Sequence, residues 1–214
     1  MQPKEYWKNF DLNHELHIAG NFIYSAVKSL YGLKETGADY NDDIFKILYD
    51  LSVGIERLLK ITIILLEHND EVNQEDLEKS LITHSHSMLL ARVEPKTGES
   101  FNSRQKQIIQ LLSKFYNSYR YDRYILQSVT DREKEATLFT QFKGNEGDQR
   151  GIKAIQEICG TLYEVIKTKA SSLNLYTYEL RHGSPAQKIF LYKEFHLLHG
   201  DTAKKELLYI YDKE

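Results

Sequence analysis

Apolar residues recur at helical spacing along most of the chain, and one stretch carries the pattern most strongly. Between residues 42 and 67, Ile44, Ile47, Leu48, Leu51, Ile55, Leu58 and Leu65 form a single stripe. Phe45, Leu59, Ile61, Ile63, Ile64 and Leu66 widen it until the C-terminal half is apolar nearly all round. A helix of that kind sits in the centre of a bundle, because no face is left to meet water. The spacing predicts a second helix over 75–92, with Leu77, Leu81 and Met88 on one stripe and Ile82, Leu89 and Val93 beside it. An acidic connector from Glu67 to Asp76, turning at Asn69-Asp70, joins the two. Residues 44–93 are therefore expected to form a core hairpin.

The flanking pattern adds further helices. Phe10, His14, His17, Phe22, Ile23, Ala26, Val27 and Leu30 repeat every third or fourth position and predict one or two helices over 5–33. Gly32 and the polar run LKETGADYNDD end that segment, and Asn41, Asp42 and Asp43 suit the unpaired amides at the start of the next helix. Pro95 and Gly98 in EPKTGES (94–100) mark a stop, after which Ser100 or Asn102 caps a helix over about 103–128 carrying Ile108, Leu111, Leu112, Phe115, Tyr119 and Ile125. Asp131 to Gln141 reads as a short helix, KGNEGDQRG (143–151) as a loop, and 150–172 as a helix keyed on Ile152, Ile155, Ile158, Cys159, Leu162, Val165 and Ile166. The tail is mixed: LNLYTYEL and KIFLYKEF have the aromatic and branched content of short strands and would equally continue helices. The expected architecture is mainly α: one helical domain over 1–172 and a C-terminal extension over 173–214 packed on it.

Composition narrows the function classes. The three prolines favour long uninterrupted helices. The longest apolar run, Ile61 to Leu66, is far short of the roughly 18 residues a membrane span needs, and MQPKEYWKNF lacks an export signal's apolar core. No membrane association is expected, and the single cysteine, Cys159, suits a reducing cytoplasm. The net charge of −3 gives no whole-chain pull on nucleic acid, so any basic surface is local.

Candidate chemistry sits in two places. Within the hairpin, Glu56 and Lys60 are spaced for an i,i+4 ion pair, and the same residues would hold a functional arginine or histidine if buried. His84 and His86 diverge by about 200° if both are helical, so they cannot share a metal there, and each would pack in the core with one hydrogen bond. Later, Tyr116, Tyr119, Arg120, Tyr121, Arg123 and Tyr124 form the densest aromatic and basic cluster of the chain. Tyrosine rings stack bases and arginines hold phosphates, so the cluster suits single-stranded RNA; it would serve equally as a packing or dimer surface. The pairs His14/His17 and His196/His199 have helical i,i+3 spacing without a cysteine or HExxH partner, GNEG lacks the Lys-Ser/Thr of a phosphate loop, and Cys159 falls on an apolar stripe. No metal or other cofactor is expected.

The order of three elements is specific. G-I-E-R-L-L-K (Gly54 to Lys60) precedes H-S-M-L-L (His86 to Leu90), which precedes F-Y-N-S-Y-R-Y-D-R-Y (Phe115 to Tyr124). This order, over about residues 41–127, resembles the HEPN superfamily of prokaryotic defence, toxin–antitoxin and nucleotidyltransferase-partner systems. The resemblance implies a helical bundle, a homodimer, an antitoxin or nucleotidyltransferase partner protein, and a metal-independent ribonuclease site of Arg and His separated by four to six intervening residues. None of the arginines at 57, 92, 104, 120, 123, 132, 150 and 181 has a histidine at that spacing. The expectation is thus an RNA- or partner-binding member with Tyr116, Tyr119, Arg120, Arg123 and Tyr124 at the RNA and Glu56 and Lys60 in support. The alternatives are a rearranged nuclease site of Arg120, Arg123 and His84 or His86, and a structural dimerising subunit.

Overall fold

A computed structural model describes residues 2–36, 41–122, 124, 125, 140 and 150–175. Chain order is α1 (Pro3–Tyr6), a π-helical turn (Trp7–Asp11), α2 (Leu12–Thr36), α3 (Asn41–Glu67), α4 (Gln74–Ser80), α5 (His86–Thr97), α6 (Ser103–Lys114), a second π-helical turn (Phe115–Tyr119), α7 (Arg120–Asp122) and α8 (Arg150–Ser172). Helix accounts for 84% of these residues and no strand occurs among them, so the architecture is a mainly α bundle. The readings for 131–139, for most of the 143–151 loop, for 176–214 and for Arg123 lie outside the described residues.

The centre is α3. Ile47, Leu48, Leu51, Ile55, Leu58, Leu59 and Ile63 have no exposed surface at all, as the all-round apolar pattern requires. The helix packs against α2, α5, α8 and the second π turn. It meets α2 tightly at Gly54, where an added Cβ would stand 2.6 Å from Ile23 Cγ1 and 3.0 Å from the Ala19 carbonyl. Arg92 and Lys96 of α5 both bind the Glu67 carboxylate at the C-terminal end of α3, at 2.5 and 3.0 Å. Together they fix the C-terminal half of α5 against the end of α3.

Four expectations are corrected. The buried face of α2 is Leu12, Leu16, Ala19, Ile23, Ala26, Val27 and Leu30, while Phe10 and His14 are exposed and His17 and Phe22 are half-buried. His14, His17 and Phe22 lie inside α2 but off the Leu12, Leu16, Ala19 and Ile23 stripe, whereas Phe10 belongs to the π turn that precedes the helix. α2 also runs through Gly32 to Thr36. The second hairpin helix is two helices. Asn73 caps α4 by accepting from the amides of Glu75 and Asp76, Ser85 caps α5 by accepting from Met88, and 81–85 is not helical. Thr83 and Ser85 satisfy nearby amides with their own side chains, which competes with helical pairing. Ile82 and Met88 are therefore 82% and 66% exposed instead of joining the stripe. Pro95 lies inside α5, which stops at Gly98 in the left-handed conformation (φ 71°).

Candidate functional site

The break at 81–85 releases His84 from any helix and turns it toward the middle of α3. Glu56 there is only 8% exposed, and a buried carboxylate requires partners. It has two: Lys60 Nζ donates to it from one turn along at 2.6 Å, and His84 Nδ1 lies 3.0 Å away. An Nδ1–H donated to the carboxylate fixes the imidazole as the tautomer with its lone pair on Nε2. Nε2 has no hydrogen bond to another described residue, and the His84 side chain is 50% exposed. A histidine oriented by a buried carboxylate and open at its other nitrogen is equipped to accept a proton.

Tyr116 stands beside this pair. The second π turn carries it, and such insertions recur at functional sites because they re-aim side chains within a helix. Its ring meets His84 edge-on at 5.1 Å and His86 at 6.2 Å. Burial pushes the Tyr116 hydroxyl above its usual pKa, against the opposing pull of Arg120. The Arg120 guanidinium lies over the Tyr116 ring at 3.8 Å and near the Tyr121 ring at 4.5 Å, and Nη2 donates to the Tyr121 hydroxyl at 2.6 Å. Ring faces hold a cation in place without neutralising it. Among the described residues no carboxylate pairs with Arg120. Asn117 Nδ2 donates to the His84 carbonyl at 3.0 Å and to the Ser113 carbonyl at 2.8 Å, pinning the 81–85 link to the α6 side.

Below this surface lies a cavity of about 410 Å³ bordered by Trp7, Glu15, Arg57, Lys60, Leu81 and His84. Its two rim cations are already neutralised, Arg57 by Glu15 and Lys60 by Glu56. An anion therefore gains more at Arg120 than in this cavity.

The structure brings Glu56, Lys60, His84, Tyr116 and Arg120 together. His86 is not with them. It has no exposed surface, and its Nε2 meets the Ser52 carbonyl at 2.7 Å and its Nδ1 the His84 carbonyl at 3.1 Å. Of the two histidines only His84 departs from the expected core role. Tyr119 is half-buried against the core, Tyr124 is 87% exposed, and Arg123 is outside the described residues. Asn117, Glu15 and Trp7 were not singled out from the sequence: Glu15 lies 42 positions from Arg57, and no local spacing signals that pair. No three His, Cys, Asp or Glu side chains among the described residues converge as metal ligands, and none of their helices is long and apolar enough to cross a membrane. No family model, no curated protein and no solved structure matches this chain.

Proposed function

We propose that this chain is a HEPN-like RNA-binding protein of a prokaryotic defence or toxin–antitoxin system, taking a single strand across Arg120 and the tyrosines at 116, 121 and 124. The order of the three sequence elements supports the family. The observation that carries the RNA reading is the Arg120 guanidinium, stacked on two tyrosine rings and unpaired with any described carboxylate. Phosphate is the anion such a guanidinium suits, and the exposed Tyr121 and Tyr124 rings, at 51% and 87%, offer faces to bases. A second copy, an antitoxin or a nucleotidyltransferase partner would cover the exposed Ile82 and Met88. Arg120→Glu is expected to weaken binding of a single-stranded RNA by at least about tenfold at moderate salt, and Arg120→Lys by less, because lysine keeps the charge without the planar stack. Fluorescence anisotropy checks this, and equal affinities for wild type and Arg120→Glu would remove the reading.

The Glu56–His84 pair favours a second reading, a ribonuclease with a rearranged site. His84 Nε2 would take the proton of a ribose 2′-hydroxyl, the 2′-oxygen would attack the phosphorus held by Arg120, and the 5′-oxygen would leave with a proton from water. The products are a 2′,3′-cyclic phosphate and a 5′-hydroxyl. His84→Ala is then expected to lower cleavage by at least about a hundredfold while RNA binding persists. Cleavage by His84→Ala at the wild-type rate would exclude this chemistry.

A further inference from the structure

The segment before α2 is held to the end of α3 by contacts centred on His68. No residue of α1 or of the first π turn is buried, so the segment has no core of its own. Trp7 meets the His68 ring edge-on at 5.3 Å, and Lys8 Nζ donates to the His68 carbonyl at 3.1 Å. Lys4 lies 3.7 Å from Asp70, a pair well exposed to solvent. Trp7 also borders the cavity of about 410 Å³ that Glu56, His84 and Tyr116 line. The segment thus forms part of one wall of that cavity, and a terminal turn with no buried residue is the kind of element that frays first.

His68 is 5% exposed, and among the described residues neither of its ring nitrogens makes a well-formed hydrogen bond. The Gln74 carboxamide stands beside the ring, its oxygen also buried and unpartnered and its nitrogen donating to Glu78 at 2.7 Å. A neutral imidazole is tolerated there. An imidazolium carries two N–H donors pointing apart, and one oxygen can meet only one of them. The charged groups facing the ring are Lys8 and Lys4 from the N-terminal segment and Asp70 from its own link, while Lys169 of α8 faces Lys8. Burial, and after it the Lys8 ammonium, hold the His68 pKa below its ordinary value. Withdrawal of the segment would remove both lysines and admit water to the ring.

We infer that residues 3–11 are an acid-released cover: protonation of His68 detaches the Trp7 segment from the end of α3 and opens the cavity beside Glu56 and His84. In the open form His68 returns to an ordinary pKa of about 6.5, so the open form takes the proton more readily than the closed one. Closure is therefore complete above about pH 6.5 and is lost as the pH falls toward the depressed value of the closed form. Across that window the opening equilibrium gains up to about tenfold per pH unit. The cover does not depend on the RNA reading of Arg120.

Trp7 is the only tryptophan of the chain, so its fluorescence reports the cover directly. The test is acrylamide quenching of the full chain between pH 7.5 and 5, with far-UV circular dichroism following the bundle in parallel. The quenching constant is expected to rise at least about twofold, with a red shift of the emission, before any helical signal is lost. His68→Phe keeps a ring against Trp7 and takes no proton, so its quenching is expected to stay flat. Gln74→Glu places a carboxylate beside the ring, holds an imidazolium in the closed form and is expected to move the transition to lower pH. Binding of the dye anilinonaphthalene sulfonate is expected to rise with the transition in wild type and not in His68→Phe. Quenching that stays flat in wild type, that rises equally in His68→Phe, or that rises only as helix is lost overturns the cover. Dye binding that stays flat through the Trp7 transition overturns the opening of the cavity. Should dichroism show His68→Phe unfolded, Gln74→Glu decides, and an unshifted transition overturns the role of His68.

Discussion

Gly54→Val is expected to leave the protein unfolded or less stable by more than about 3 kcal/mol, the upper range for overpacking a closed core. Even the first added carbon has nowhere to go, with Ile23 Cγ1 at 2.6 Å, the Ala19 carbonyl at 3.0 Å and Ile23 Cδ1 at 3.2 Å. The Ala19 oxygen is backbone, and Ile23 has no exposed surface into which its side chain could swing. Relief requires α2 to move away from α3, and α3 is the helix on which α2, α5 and α8 all pack. Gly54→Ala is the discriminating variant. At an exposed helical site alanine would gain up to about 1 kcal/mol over glycine; here the clash is expected to outweigh that gain and give a net loss of about 1–2 kcal/mol. Urea unfolding followed by circular dichroism reads both. A higher midpoint for Gly54→Ala would mean that the helices are not in close contact at this point.

Why the centre of the bundle was legible in the sequence follows from α3 itself. A helix apolar nearly all round has only one place to be, and its Ile, Leu and Val positions from Ile47 to Ile63 are buried as that pattern demands. The errors arose where the periodicity is interrupted by something with no strong local signature. A π turn costs no glycine or proline, so nothing in WKNFD announces it, yet it sets Phe10 outside α2 and away from that helix's buried stripe. At 81–85 the reading extended a helix across Thr83, His84 and Ser85 because Leu81, Met88 and Leu89 continue its spacing. The side chains of Thr83 and Ser85 instead take local amides, and the chain turns. Thr83 and Ser85, two capping residue types close together, were the available signal.

That same break decides the site. Read as one helix, the segment gives His84 and His86 equivalent core roles. Read as a cap, Ser85 starts α5, His86 is carried into the core, and His84 is left outside to reach Glu56 at 3.0 Å. The Glu56–Lys60 pair was visible as an i,i+4 spacing. That Glu56 is buried and serves His84 as well depends on contacts 28 residues apart, which no local pattern carries. The aromatic–basic cluster was the most legible part of the site by composition. Its order of importance was not: Arg120 lies over Tyr116, which is mostly core at 8% exposed, whereas Tyr124 is almost wholly in solvent.

The two histidines give opposite expected results. His86→Ala is expected to cost about 2–4 kcal/mol, from a lost buried hydrogen bond and the cavity left by the ring. The ring has no exposed surface and its Nε2 is 2.7 Å from the Ser52 carbonyl, so no water replaces it without rearrangement. Burial pushes the imidazole pKa below its ordinary value, against the pull of the Ser52 carbonyl and the Glu56 carboxylate. The unfolded chain therefore binds a proton more readily than the folded one, near pH 6.5 and below. Stability from this group is complete above about pH 6.5. It declines as the pH falls toward the depressed folded value, by at most about 1.4 kcal/mol per pH unit. His68, buried beside Trp7 and likewise lowered by burial, adds a dependence of the same sign. His86→Ala should thus be less stable at pH 7.5, yet lose less stability than wild type between pH 6.5 and 5, keeping only the His68 share. His84→Ala, on a half-exposed side chain, should shift the urea midpoint by no more than about 0.5 kcal/mol at neutral pH. Urea titrations of the three proteins at pH 5, 6.5 and 7.5 test the assignment. A His86→Ala protein as stable as His84→Ala, or with an unchanged pH slope, would show that the buried ring is not the acid-sensitive support of α3 that its contacts describe.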